Sequence, residues 1–135
     1  MLCLSCAKAG SGKADLNVVA WAQSLETAAL YISAITVLEL ELGALQIERR
    51  DVVQGAMLRA WVEGQVGRAF AGRVLAVDGQ VARRCARLHV PDPRAERDAL
   101  IAATALTHGM TVVTRNIGDF AFMGVALLNP WQGPS

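Results

Sequence analysis

ERDALIAATALTHGMTVVTRNIGDF, residues 96–120, runs from an apolar segment through a glycine into a β-branched segment and out into a loop that ends in an acid. From Glu96 to His108 the apolar and small residues surround the helix axis, which predicts a buried helix. Gly109 is placed to cap its C-terminus. Residues 110–114, MTVVT, suit a central strand. A buried helix leading directly into a buried strand is the unit of an α/β fold whose parallel sheet is covered on both faces.

Outward from that stretch the same alternation continues. Residues 29–33, ALYIS, read as a short strand. Thr36 to Arg50 carries Val37, Leu38, Leu42, Leu45 and Ile47 with charges between them, a helical pattern. Asp51 can cap a further helix through Met57, Leu58, Trp61 and Val62, until Gly64 and Gly67 weaken it. Residues 74–77, VLAV, form a compact strand, and Asp78 can cap a helix reaching His89. Pro91 and Pro93 then break the chain. Residues 125–128, VALL, make a last strand. At the start, residues 1–5 can form a first strand, 8–15 read as loop, and 17–21 look like the opening of a helix. With no repeat, linker or low-complexity segment, the 135 residues are expected to form a single domain, with residues 1–16 its least typical part.

Composition narrows the classes. At 53% hydrophobic and 19% charged, disorder is excluded. No apolar run approaches the roughly 18 residues of a membrane helix. The first residues lack the basic and apolar regions of a signal peptide, so a cytoplasmic location is expected. A net charge of +1 says little about nucleic acid. Arginines cluster locally at 49–50, at 83, 84 and 87, and at 94 and 97; each cluster is either a solvated face or part of a phosphate-contacting rim. Three cysteines imply no disulfide framework, and Cys3 and Cys6 lack the further ligands of a zinc site. Cys85 reads as core, and His89 and His108 as helix-end residues.

Three acids stand where chemistry is possible. Glu39 lies in the first turns of a helix entered from a strand. Asp98 opens the apolar helix, and Asp119 follows the strongest strand. Each has a plain structural explanation: an exposed helix acid, a carboxylate favoured by the helix dipole, a loop cap. Meeting at one edge of a parallel sheet, they repel one another unless a cation neutralises them. Hard oxygen donors favour Mg²⁺ or Mn²⁺, and metal-assisted phosphodiester cleavage follows most directly. Thr114 and Asn116 can orient a water or a partner carboxylate. Arg115 either contacts phosphate or forms a structural salt bridge.

Taken together, SAITVLELELG around Glu39, DALIAATA from Asp98 and VVTRNIGDF ending near Asp119 resemble the PIN-domain family, in particular its VapC- and FitB-like toxin ribonucleases. NPW at 129–131 is similar to the FitB-like branch, and the resemblance runs from about Asn17 to Trp131. It implies a three-layer α/β/α domain with a central parallel sheet. It also implies a ribonuclease toxin using Mg²⁺ or Mn²⁺, an RNA substrate, a small antitoxin that masks the acids, and a homodimer. Glu39, Asp98 and Asp119 would be the catalytic and metal-holding acids.

The chain departs from the family at its start. Members usually open with a strand ending in Asp-Thr-Asn, whose Asp is a metal ligand; here Ser5 falls near that place, and Asp15 lies outside a matching context. This implies a truncated or diverged start and weakened activity, or alternatively a catalytically impaired PIN fold that serves as a binding module. GSGK at 10–13 is similar to part of a phosphate loop, but Ala7 and Ala14 break the required G-x-x-x-x-G-K-[ST] pattern.

Overall fold

The computed structural model describes residues 2–4 and 30–129, with Leu2 and Leu4 described by backbone alone. The expectations for Ser5, Cys6, the 8–15 loop with its GSGK, Asp15, the helix start at 17–21, and Pro130 and Trp131 lie outside the described residues.

Five strands form one sheet: β1 (Leu2–Leu4), β2 (Leu30–Ser33), β3 (Val74–Leu75), β4 (Thr111–Val113) and β5 (Leu127–Leu128). Their order is β3-β2-β1-β4-β5, and each neighbouring pair is parallel. Cys3 is in register with Tyr31 on one side and Val112 on the other. Strand identity follows from the apolar runs at 30–32 and 111–113, buried on both faces as parallel strands require. Leu30, Ile32 and Val113 point to one face and are 2, 1 and 0% exposed. Cys3 and Val112 point to the other and pack with Ile101, Ala102 and Ala105. The outermost strands β3 and β5 have only two residues each, shorter than the sequence suggests, as befits sheet edges.

Helix α1 (Ala34–Glu48) starts without a loop from β2. It begins two residues ahead of the expected Thr36 because the Ser33 side chain accepts from the Ile35 N–H at 3.0 Å and caps it. Asp51 caps α2 (Val52–Trp61) by accepting from Gln54 N–H at 3.1 Å. Gly64 and Gly67 do not end this helix. It continues through a π-helical turn (Val62–Val66) into Gly67–Ala69. Asp78 caps α3 (Gly79–Leu88), accepting from Val81 N–H at 3.0 Å. Here Val81 and Cys85 face the core while Arg83, Arg84 and Arg87 face out.

Helix α4 (Glu96–Thr107) packs against α3 and the sheet, and Ala99, Ile101, Ala102, Ala103, Thr104 and Ala105 are all buried. Its end is sealed by a left-handed Gly109, with φ +66°. Gly109 N–H donates to Leu106 O and Met110 N–H to Ala105 O, which satisfies carbonyls that a helix end leaves open. His89 and His108 occupy the C-caps of α3 and α4. His89 also holds the intervening loop, since its Nδ1 accepts from Arg94 N–H at 3.0 Å. Burial pushes the Cys3 thiol up to about 12, so it is an inert core group rather than a ligand.

Candidate active site

All five strands run the same way, so their C-terminal ends share one edge. The chain steps from β1 outward to β2 and β3, then returns to the other side for β4 and β5. The crevice at such a reversal is where open α/β sheets take ligands. Three routes lead there. Glu39 arrives on α1, six residues after Ser33 ends β2. Asp98 lies in the first turn of α4, which has no side-chain N-cap. Asp119 arrives from β4 through residues 114–116 and the short helix α5 (Ile117–Phe120).

The three acids line one pocket of about 390 Å³, together with Ala95, Glu96, Arg97 and Asn116. Asn116 is placed by a local turn: buried Thr114 accepts its backbone N–H at 3.0 Å through Oγ1. Thr114 therefore supports the pocket from beneath rather than lining it. Arg115 is exposed and is not among the lining residues, and of its two readings the salt bridge is not found among the described residues. Its carbonyl accepts from Asn129 Nδ2 at 3.3 Å.

Two further charged residues line the pocket beyond the candidate acids. Among the described residues, Glu96 adds a fourth carboxylate and Arg97 is the one cation. In the sequence, Glu96 read only as a helix start, and Arg97 as part of a cluster that is either a solvated face or a phosphate-contacting rim. Their place in the same first helical turn as Asp98 was the one available signal. Arg83, Arg84 and Arg87 instead border a separate cavity of about 300 Å³ with Gln80 and Thr107.

Electrostatics in the acidic pocket are unfavourable as it stands. Burial raises the Glu39 carboxyl above its ordinary range; Arg97 opposes this and Asp98 adds to it. Burial likewise raises Asp98, with the Asp119 charge adding and Arg97 opposing. Glu39 Oε1 is buried and accepts no hydrogen bond among the described residues. A buried carboxylate oxygen without a donor is costly, and a cation is one group that satisfies it. The donor set of carboxylates and an amide is the hard-oxygen type that Mg²⁺ and Mn²⁺ take. Among the described residues, no three acidic, His or Cys groups are gathered closely enough to hold a metal ion by themselves. Mg²⁺ tolerates that arrangement because it retains several waters and needs only one or two direct carboxylates.

The sequence and the fold have close counterparts. The chain is 39% identical over 128 residues to the VapC ribonuclease Y4jK of Sinorhizobium fredii, spanning 87% of this chain and 86% of that protein. It is 41% identical over 125 residues to the toxin FitB of Neisseria gonorrhoeae, with 86% of each covered. The crystal structure of FitAcB from the same organism superposes with a TM-score of 0.82 at 35% identity, over 97% of this chain and 99% of that one. The PIN domain profile matches residues 12–121, a span that holds Glu39, Asp98 and Asp119 together with the strands that deliver them. Profile match, sequence similarity and superposition thus agree, and the chain belongs to the PIN domain family.

Proposed function

We propose that this protein is a metal-dependent endoribonuclease and the toxin of a toxin–antitoxin pair. The observation that carries the reading is the hydrogen-bond-free Oε1 of Glu39, buried in a pocket shared with Asp98 and Asp119. The names of two relatives, a VapC ribonuclease and a toxin, support the activity over a purely binding module.

Glu39, Asp98 and Asp119 would hold Mg²⁺ or Mn²⁺, which supplies an activated water and neutralises charge on the scissile phosphate. Asn116 contributes a neutral amide that orients a water or the phosphate. Arg97 restrains the repulsion among the acids and presents a guanidinium to phosphate oxygens. In sequence, Ser5 falls near the place where members of the family carry an acid, and a hydroxyl holds a cation less strongly than a carboxylate. Ser5→Asp should therefore raise activity.

Solved relatives include toxin–antitoxin complexes such as FitAB bound to DNA, TM-score 0.83 at 34% identity. A small antitoxin is accordingly the partner proposed here, together with self-association. Exposed Val52, Val53 and Met57 on α2 offer the apolar surface that such partners cover. Among the described residues no helix is long and apolar enough to cross a membrane.

The test is cleavage of single-stranded RNA with and without EDTA. The expected result is hydrolysis that needs Mg²⁺ or Mn²⁺ and is lost in Asp98→Asn, which keeps shape and removes charge. EDTA-insensitive cleavage, unchanged in Asp98→Asn, rules the metal mechanism out.

A further inference from the structure

Phe122 is 89% exposed and has φ +68°. Among the described residues it is the one non-glycine in the left-handed region. That backbone conformation suits glycine and strains a bulky side chain. Its flanks leave it no alternative. Phe120 and Met123, 2 and 4% exposed, are fixed in the core beside Val112 and Ile101. Met123 N–H donates back to Phe120 O at 3.3 Å, and Gly124 turns again with φ +75°. The loop is thus held at both ends, and the ring stands out in solvent.

Folding gains nothing from an exposed ring on a strained backbone; glycine would serve better on both counts. Such an outlier points to a ligand rather than to stability. Its position says which one. Phe122 follows Asp119 by three residues, so the two Cα atoms lie within about 11 Å. Among the described residues the pocket is lined by four carboxylates and one guanidinium, so a cation held there would serve the scissile phosphate and leave the flanking nucleotides to other binding energy. Bases of a single strand supply that energy by stacking on aromatic faces, whatever their identity.

We infer that Phe122 is a stacking platform for a nucleobase next to the phosphate held in the Glu39–Asp98–Asp119 pocket. The inference rests on the ribonuclease reading. It makes Phe122 a substrate-positioning residue that acts through binding rather than on the reacting atoms.

The experiment measures kcat and KM on a short fluorescein-labelled single-stranded RNA of mixed sequence, for the full chain and for Phe122→Gly, Phe122→Leu and Phe122→Trp. Phe122→Gly relieves the backbone strain, so its melting temperature should be unchanged or higher. Its KM should rise roughly 5- to 100-fold with kcat little altered, the loss expected for one stacked base. Phe122→Trp should restore KM, and Phe122→Leu should not. Cleavage by the unaltered chain with an unchanged KM in Phe122→Gly overturns this inference and leaves the ribonuclease reading standing. So does a Phe122→Gly effect confined to binding of a protein partner. Absence of any metal-dependent cleavage or RNA binding by the unaltered chain overturns both.

Discussion

Glu39 shares its pocket with Asp98 and Asp119, and both Glu39 and Asp98 have carboxyls raised mainly by burial. A folded-state value above the unfolded one means that the folded protein binds more protons in the window between them. The stability from these groups is full below the ordinary carboxylate range and is lost as pH rises through their raised values. Without divalent metal, the melting temperature should therefore rise as pH is lowered from neutral toward the carboxylate range. Glu39→Gln should flatten that dependence, raise the neutral-pH melting temperature and abolish cleavage. A scan of melting temperature against pH for both proteins checks this. An unaltered slope in Glu39→Gln would show that the burial cost lies elsewhere.

At the scale of elements, α4 and the α1–α2 pair make the clearest demands. Ile101 is 0% exposed within the cluster of Cys3, Val112 and Phe120. Ile101→Asp places an unpaired charge there and should cost about 4 kcal/mol or more, read as a lower urea midpoint. Gly55 marks the closest approach of α2 to α1: a Cβ there would lie 2.3 Å from Glu48 Cα, a backbone atom. Alanine favours a helix over glycine by about 1 kcal/mol, but forcing two packed helices apart costs about 1–3 kcal/mol. Gly55→Ala should therefore destabilise. It should also disturb the Arg59 pairs with Glu48 at 3.1 Å and Glu41 at 3.9 Å, which hold the two helices side by side. Denaturation midpoints for Gly55→Ala and Gly55→Ser, compared with the unaltered chain, decide between the two effects.

For the molecule as a whole, the sheet order brings elements distant in sequence to one crevice, and a cation held there, as proposed above, would bind only the folded form. Mg²⁺ at about 100 times its dissociation constant should add about 2.7 kcal/mol of stability. In a domain of this size that is a rise in melting temperature on the order of 10 °C. Asp98→Asn should blunt the rise because it removes one of the charges that hold the ion. A thermal melt with and without Mg²⁺ gives the comparison, and equal shifts in both proteins would move the binding site away from this pocket.

The local pattern of the sequence was enough for much of this. Helices and strands declare themselves by spacing, and the caps Asp51, Asp78 and Gly109 by residue type, because those forces act within a turn or two of chain. The acids Glu39, Asp98 and Asp119 were legible from their places beside strand ends. What depends on distances between elements was not legible. The contact at Gly55, the Arg59 pairs, the entry of Glu96 and Arg97 into the pocket, and the left-handed Phe122 follow from how helices and loops are clamped on the sheet. Sequence alone determined which elements form and which acids flank them, since hydrogen bonding and side-chain period are local. Only the tertiary structure decided which charges share a pocket and which ring is forced into solvent, since packing brings together residues that are far apart in the chain.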